Sequence, residues 1–212
     1  MSQHTAIASM LQLLQAKGIT NTALLAAIAV TPRELFLPES LAHKAYNDEP
    51  LAIGYGQTIS SPYISALILE LAGLKPAHKV LTVGVGSGYQ TAIIAQLAHE
   101  VIGLDVIQEL LNNANTALMQ YKNIKLHNSD GYLGWEPAGP FDRIIVTASA
   151  HKVPEPLLEQ LATNGKLIIP IGRRMQEQQL HIITKQANGI ESTKYPMPVR
   201  LLPLINPNKK PL

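Results

Sequence analysis

The chain contains no cysteine in 212 residues. That removes disulfide scaffolds, thiolate metal sites and cysteine nucleophiles at once, and it fits a reducing compartment. Charge is also scarce: 15% of residues are charged, against about 25% in a typical globular protein. The net charge is +2 and the basic doublets are Arg173-Arg174 and Lys209-Lys210. Nucleic-acid binding needs a clustered basic face, so both doublets read as loop or tail charges and no nucleic-acid partner is expected. The seven histidines are scattered without an HxxxH pair, so no metal site is expected. The apolar stretch ALLAAIAV, Ala23 to Val30, is too short to cross a bilayer and follows no basic leader. A soluble, cytoplasmic protein without a membrane contact is the expectation.

What is present is a core. Hydrophobic residues make up 46% of the chain, enough for one compact domain of this length. Ile7, Met10, Leu11 and Leu14 recur at helical spacing, so residues 4–17 are predicted to form an amphipathic helix that stops at Gly18. A second helix is predicted from Thr22 to Val30, ahead of Thr31-Pro32. Between Arg33 and Ser61 the periodicity fades into a short helix near Glu34 and an irregular arm. Ile53 to Tyr63, IGYGQTISSPY, is too rich in glycine, hydroxyls and proline for a regular helix or a central strand. Pro62 suits the first turn of a helix carrying Ile64, Leu67, Ile68 and Leu71, which Gly73 ends, with Ser61 as its cap.

Beyond residue 78 strands and helices alternate: KVLTVG, YQTAIIAQLA, EVIGLD, VIQELLNNANTALMQY, NIKLHNSD, FDRIIVTA, PEPLLEQLA, GKLIIPIG. Such alternation implies parallel βαβ units and a doubly wound sheet covered on both faces. After Gly172 the helices cease, and Leu180 to Lys185 pairs through Asn188-Gly189 with a strand near Ile190 to Tyr195 as a hairpin. The fold class is therefore α/β, Rossmann-like and mostly parallel, with an N-terminal helical extension and C-terminal antiparallel strands. Residues 1–61 form the extension and arm, residues 62–212 the core, within one compact domain. The Pro-rich end, NPNKKPL, is expected to fray.

Gly84, Gly86 and Gly88 follow the first core strand and open a helix, a turn that lets a ligand approach the backbone closely. Asp105 ends the next strand, 21 residues after Gly84, where an acid accepts from ribose hydroxyls. Position 89 is Tyr and 90 is Gln, so the third dinucleotide glycine is absent, and a tyrosine beside the turn would crowd a pyrophosphate. No second mononucleotide half is evident. These features favour S-adenosylmethionine, which has no phosphates, over NAD. Asp130-Gly131, after the third core strand, faces the same crevice and can accept from an adenine amino group, although alone it reads as an ordinary Asp-Gly turn.

TPRELFLP (31–38), AYNDEPLAIGYGQTISSPY (45–63), VGSGYQTA (85–92), DGYLGW (130–135), PFDRIIVTASA (140–150), GKLIIPIG (165–172) and PVRLLPL (198–204) together resemble the protein-L-isoaspartate O-methyltransferase family. The GQTIS segment is specific to that family among methyltransferases. The resemblance implies an S-adenosyl-L-methionine-dependent enzyme that methylates the α-carboxylate of L-isoaspartyl residues in damaged proteins and peptides, after which a succinimide closes and partly reopens to Asp. It maps the active serine onto Ser60, and cofactor contacts onto Thr58, Ile59, Ser60, Gly84, Gly86, Ser87, Gly88, Asp105, Asp130 and Gly131. No metal is implied, and a monomer is the expected state.

Two departures stand out. Thr82 occupies a position where the family usually has Glu or Asp to hold the cofactor's methionine end. His151 stands where the family usually has Pro, on the substrate side. Three alternatives stand behind the repair enzyme: a cofactor- or protein-binding paralogue with weakened catalysis, a methyltransferase with another acceptor, and last a dehydrogenase. An α-carboxyl titrates at about 3.3–3.7, so the acceptor arrives ionised. That matches a stretch from Ile53 to Tyr63 with neither histidine nor carboxylate.

Overall fold

Apolar spacing builds the N-terminal layer. Met10 and Leu14 turn the inner face of α1 (Gln3–Ala16) into the core, and Gly18, at φ 94°, lets the chain turn off it. In α2 (Thr22–Ala29) Asn21 caps the first turn by accepting from the Leu24 N–H. The computed structural model describes residues 3–173 and 176–206. Arg174, the Lys209-Lys210 doublet and the Pro-rich end from residue 207 lie outside them.

The arm is more ordered than its sequence suggests. Two 3-10 turns, Arg33–Phe36 and Glu39–Lys44, lead into an antiparallel hairpin of β1 (Leu51–Gly54) and β2 (Gln57–Ile59). Leu51 faces Ile59 across the pair. Leu51, Ile53 and Ile59 all bury their side chains, so three apolar anchors override the glycine- and hydroxyl-rich composition. The hairpin is a separate two-stranded sheet, so the segment is neither helix nor central strand, but it is not irregular. α3 (Pro62–Ala72) follows, with Ser61 as N-cap, Pro62 in the first turn and Gly73 closing it at φ 58°.

The main sheet contains β3 (Lys79–Val83), β4 (Glu100–Asp105), β5 (Ile124–Asn128), β6 (Phe141–Val146), β7 (Leu161–Ile171), β8 (Gln178–Gln186) and β9 (Gly189–Val199). Its order is β5-β4-β3-β6-β7-β8-β9. The first five strands run parallel, and β8 and β9 add antiparallel. Alternation sends Val80, Val101, Ile145 and Ile168 to one face and Leu81, Ile102, Ile144 and Leu167 to the other. The first face is continuous with Met10, Leu14, Leu24 and Leu67, so the N-terminal helices share the core of the sheet. The crossover helices are α4 (Tyr89–Leu97), α5 (Gln108–Ala117) and α6 (Glu155–Glu159). α6 is shorter than its apolar pattern predicts, because Leu161 already pairs with Phe141 as the start of β7. Among the described residues no helix is long and apolar enough to cross a membrane.

Candidate active site

The strand order reverses around β3: β4 and β5 lie to one side, β6 and β7 to the other. Crevices form outside the carboxyl ends of strands at such a point, and there the glycines of the 84–88 turn sit. Gly84 has φ 91° and Gly86 φ 55°. A Cβ on Gly84 would lie 2.4 Å from Thr147 Oγ1. That hydroxyl donates to the Gly84 carbonyl at 2.7 Å, with the Val83 carbonyl 3.1 Å away, and so fastens the end of β6 to the end of β3. Gly88 serves packing: a Cβ there would lie 3.1–3.3 Å from Leu118 and Ala114. Ser87 accepts from the Tyr89 N–H at 3.4 Å.

Asp105 closes the turn from β4. One carboxylate oxygen accepts from the Gly86 N–H at 2.8 Å and the other from the Ile107 N–H at 3.0 Å. A carboxylate has about four acceptor sites, so two remain for a ligand. Asp130 accepts from the Tyr132 N–H at 2.9 Å in an Asx turn. Gly131 is required by proximity, since a Cβ would lie 2.3 Å from Val83 Cγ1.

The crevice comprises a hollow of about 440 Å³ and a smaller one of about 50 Å³. They share Gln57, Gly84, Asp105, Ala148 and Pro203. Thr58, Ser60 and Gly86 line the larger hollow, and Gly131 the smaller. Six of the residues singled out in the sequence therefore converge here: Thr58, Ser60, Gly84, Gly86, Asp105 and Gly131. Ile59 does not, because alternation along β2 turns its side chain into the core. Ser87, Gly88 and Asp130 support the walls rather than line them. Thr82 is 1% exposed within β3, between Gly103 and Ile145. His151 is exposed and lines neither hollow. Tyr89 does not crowd the turn as expected: it is 2% exposed and packs edge-on against Phe36 at 5.6 Å.

The loop carrying Ser60 is pinned from below. Asp48 accepts from the Tyr63 N–H at 2.9 Å and pairs with Lys17 at 2.6 Å. Burial works to raise the Asp48 carboxyl, but the bonds from Lys17 and the Tyr63 amide outweigh it and hold the group below its usual value. Ser61 caps α3, at 3.4 Å from the Ile64 nitrogen, and also lines the larger hollow beside Ser60. The cleft wall is more apolar than polar; its polar side chains are hydroxyls and amides, with Asp105 and Arg200 the charged members among the described residues. Among those residues no group of three or more His, Asp or Glu side chains converges as a metal site.

A strap over the cleft was not legible as such. Leu201, Leu202 and Pro203 line the larger hollow. The strap is held by Ser149, whose N–H donates to the Leu202 carbonyl and whose own carbonyl accepts from the Leu204 N–H, both at 2.8 Å. Gln178, 1% exposed, clamps it by accepting from the Leu201 N–H at 2.8 Å and donating to the Leu201 carbonyl at 3.0 Å. The sequence signal was a glutamine in the buried phase of a strand, in step with Leu180. Gln178→Leu should lower stability by about 1–3 kcal/mol, because two backbone groups lose their partners. Urea unfolding checks the value, and an unchanged midpoint would mean that the strap holds without the clamp.

Comparison with known proteins returns one consistent answer. A family model described as protein-L-isoaspartate(D-aspartate) O-methyltransferase matches residues 5–209. A protein-L-isoaspartate O-methyltransferase of Gloeobacter violaceus is 42% identical over 193 residues, covering 90% of this chain and 94% of that protein. One of Pseudoalteromonas atlantica is 47% identical over 201 residues, covering 93% of each. Among solved structures, a Plasmodium falciparum protein assigned to the same enzymes, in complex with S-adenosyl-L-homocysteine, superposes with a TM-score of 0.81 at 33% identity, covering 93% of this chain and 97% of that one.

Proposed function

This chain belongs to the protein-L-isoaspartate(D-aspartate) O-methyltransferase family, and from that premise we propose how its residues divide the work. The protein is an S-adenosyl-L-methionine-dependent methyltransferase acting on L-isoaspartyl residues of damaged proteins and peptides. The observation that carries the division of labour is the convergence of Ser60, Gly84, Gly86 and Asp105 on one cleft.

The cofactor's fit is supported by the wall itself. Glycines leave the turn bare where a side chain would intrude, and Asp105 keeps two acceptor sites beside it. A dinucleotide is disfavoured by the sheet, which turns antiparallel after β7 and so leaves only two parallel strands, β6 and β7, on the far side of β3. Gly84, Gly86 and Gly131 would hold the cofactor by close backbone approach, with Asp105 on the ribose hydroxyls. When bound, it supplies an electrophilic methyl group. Thr58 and Ser60 form the wall on the acceptor side. The α-carboxylate is already ionised at neutral pH, so no residue has to remove a proton. The Ser60 hydroxyl donates to it weakly, orienting one oxygen without blunting it, and the strap at Leu201–Pro203 excludes water. A cytoplasmic location completes the reading, supported by a cysteine-free sequence.

The test uses methyl-labelled S-adenosylmethionine and two peptides differing only in Asp against isoaspartate. Base-labile label should appear on the isoaspartyl peptide alone; equal labelling of both overturns the acceptor assignment.

Thr82 yields a further expectation. Thr82→Glu places a carboxylate at a buried position, which is unfavourable until a cation arrives. The unliganded protein should melt lower, and S-adenosylmethionine should raise its midpoint more than it raises that of the parent, with affinity up about 10-fold, or about 1.4 kcal/mol. Thermal shifts with and without ligand check this; equal ligand shifts would show that position 82 does not reach the cofactor.

A further inference from the structure

The first 3-10 turn carries a buried cation directly behind Ser60. Arg33 is 0% exposed, and among the described residues no carboxylate lies within ion-pair distance of it. Its Nη2 donates to the Ser60 carbonyl at 2.5 Å. Its Cζ lies 4.9 Å from the centroid of the Tyr89 ring, and Tyr89 is the first residue of α4 after the glycine turn. Nε and Nη1 have no partner among the described residues.

A charge held out of water without a counter-ion is costly, and apolar side chains of similar size commonly replace such groups without loss of stability. Burial pushes the guanidinium down to about 10, with Tyr89, Asp48 and Tyr46 working in the other direction, so it remains cationic at neutral pH. Stability is therefore a poor reason for an arginine here. Its contacts suggest a better one. A carbonyl held from behind fixes the peptide plane between Ser60 and Ser61, and with it the direction of the Ser60 side chain. A planar guanidinium can donate in its plane while lying against an aromatic ring, which an ammonium cannot do in the same way.

We propose that Arg33 is a positioning residue for methyl transfer, tying the Ser60 carbonyl to the Tyr89 ring so that the acceptor loop and the cofactor turn keep one fixed relation. The proposal rests on the reading of Ser60 as the orienting hydroxyl. It assigns no contact between Arg33 and either substrate.

A double-mutant cycle tests it. Arg33→Met and Arg33→Lys are each made alone and with Ser60→Ala, and turnover on an isoaspartyl peptide, affinity for S-adenosylhomocysteine and the thermal midpoint are measured. Arg33→Met should lower turnover about 10–100-fold, with cofactor affinity within about 3-fold of the parent and a midpoint set by the lost partner of the Ser60 carbonyl against the relief of a buried charge. In the Ser60→Ala background the same substitution should change turnover by less than about 3-fold, because the two residues act through one geometry. Arg33→Lys keeps the charge without the planar fork and should show the same non-additivity, which covers the case in which the methionine variant fails to fold. Parental turnover in Arg33→Met, or equal losses in both backgrounds, overturns the proposal while leaving Ser60 in its role. Parental turnover in Ser60→Ala alone overturns both.

Discussion

Gly84→Ala should leave a protein that is substantially destabilised and binds S-adenosylmethionine poorly. Two independent effects meet at this position. The backbone has φ 91°, where an L side chain is disfavoured by about 1–2 kcal/mol. The new methyl would also lie 2.4 Å from Thr147 Oγ1, and overpacking of that kind adds about 1–3 kcal/mol. Thr147 cannot simply swing aside, because its hydroxyl is held by the Gly84 carbonyl at 2.7 Å. Together these approach the lower end of a domain's total stability of about 5–15 kcal/mol. Relief of the clash would have to come from separating β3 from β6, which opens the crevice where Gly84 and Asp105 form a shared wall. Urea unfolding and titration with S-adenosylhomocysteine measure the two consequences, with affinity expected to fall at least about 10-fold. Adding Thr147→Ala removes the clashing oxygen and should recover part of the stability, leaving the strain of the backbone. A parental midpoint and affinity in Gly84→Ala would show that the turn is not the cofactor cradle.

The parts of this fold legible in the sequence are those that follow a local period. Helical spacing located α1 through Met10 and Leu14. Nearly unbroken apolar runs located β3, β4, β6 and β7, because a doubly covered sheet buries both phases of each strand. What escaped depends on which side chains meet once the chain folds, not on a repeating period. The β1–β2 hairpin rests on Leu51 meeting Ile59, and nothing in IGYGQTIS marks that pairing against its glycines. Helix α6 stops short of its apolar stripe because Leu161 pairs with Phe141 as the start of β7. Tyr89 adjoins the glycine turn in sequence, yet a helix N-terminus that packs on Phe36 rotates its ring into the core. The site divides the same way. Family motifs supplied Ser60, Gly84 and Asp105, which line the cleft, and also Ile59, Gly88 and Asp130, which do not. Gln178 and the Leu201–Pro203 strap lie about twenty residues apart in sequence, and only folding brings a buried amide against that backbone.

Ser60→Ala should lower turnover on an isoaspartyl peptide about 10–100-fold, the range expected when a reacting oxygen is left unoriented, while affinity for S-adenosylhomocysteine stays within about 3-fold of the parent. The pH dependence separates orientation from base catalysis. The acceptor α-carboxyl has a reference value of about 3.3–3.7, and among the described residues no histidine lines the cleft. From about pH 6 upward through neutrality, therefore, the parent profile should be flat with respect to the acceptor, and the mutant profile should run parallel to it, lowered by one constant factor. A profile that converges with the parent as pH rises would instead mean that the serine assists a deprotonation. Ser61→Ala is the matched control, because that hydroxyl caps α3 at the Ile64 nitrogen. It should cost about 1 kcal/mol of stability and leave turnover within about 2-fold of the parent. Two adjacent serines would then separate cleanly, one acting on rate and the other on stability. The opposite pattern, with turnover lost in Ser61→Ala and kept in Ser60→Ala, would move the orienting role to the neighbouring residue.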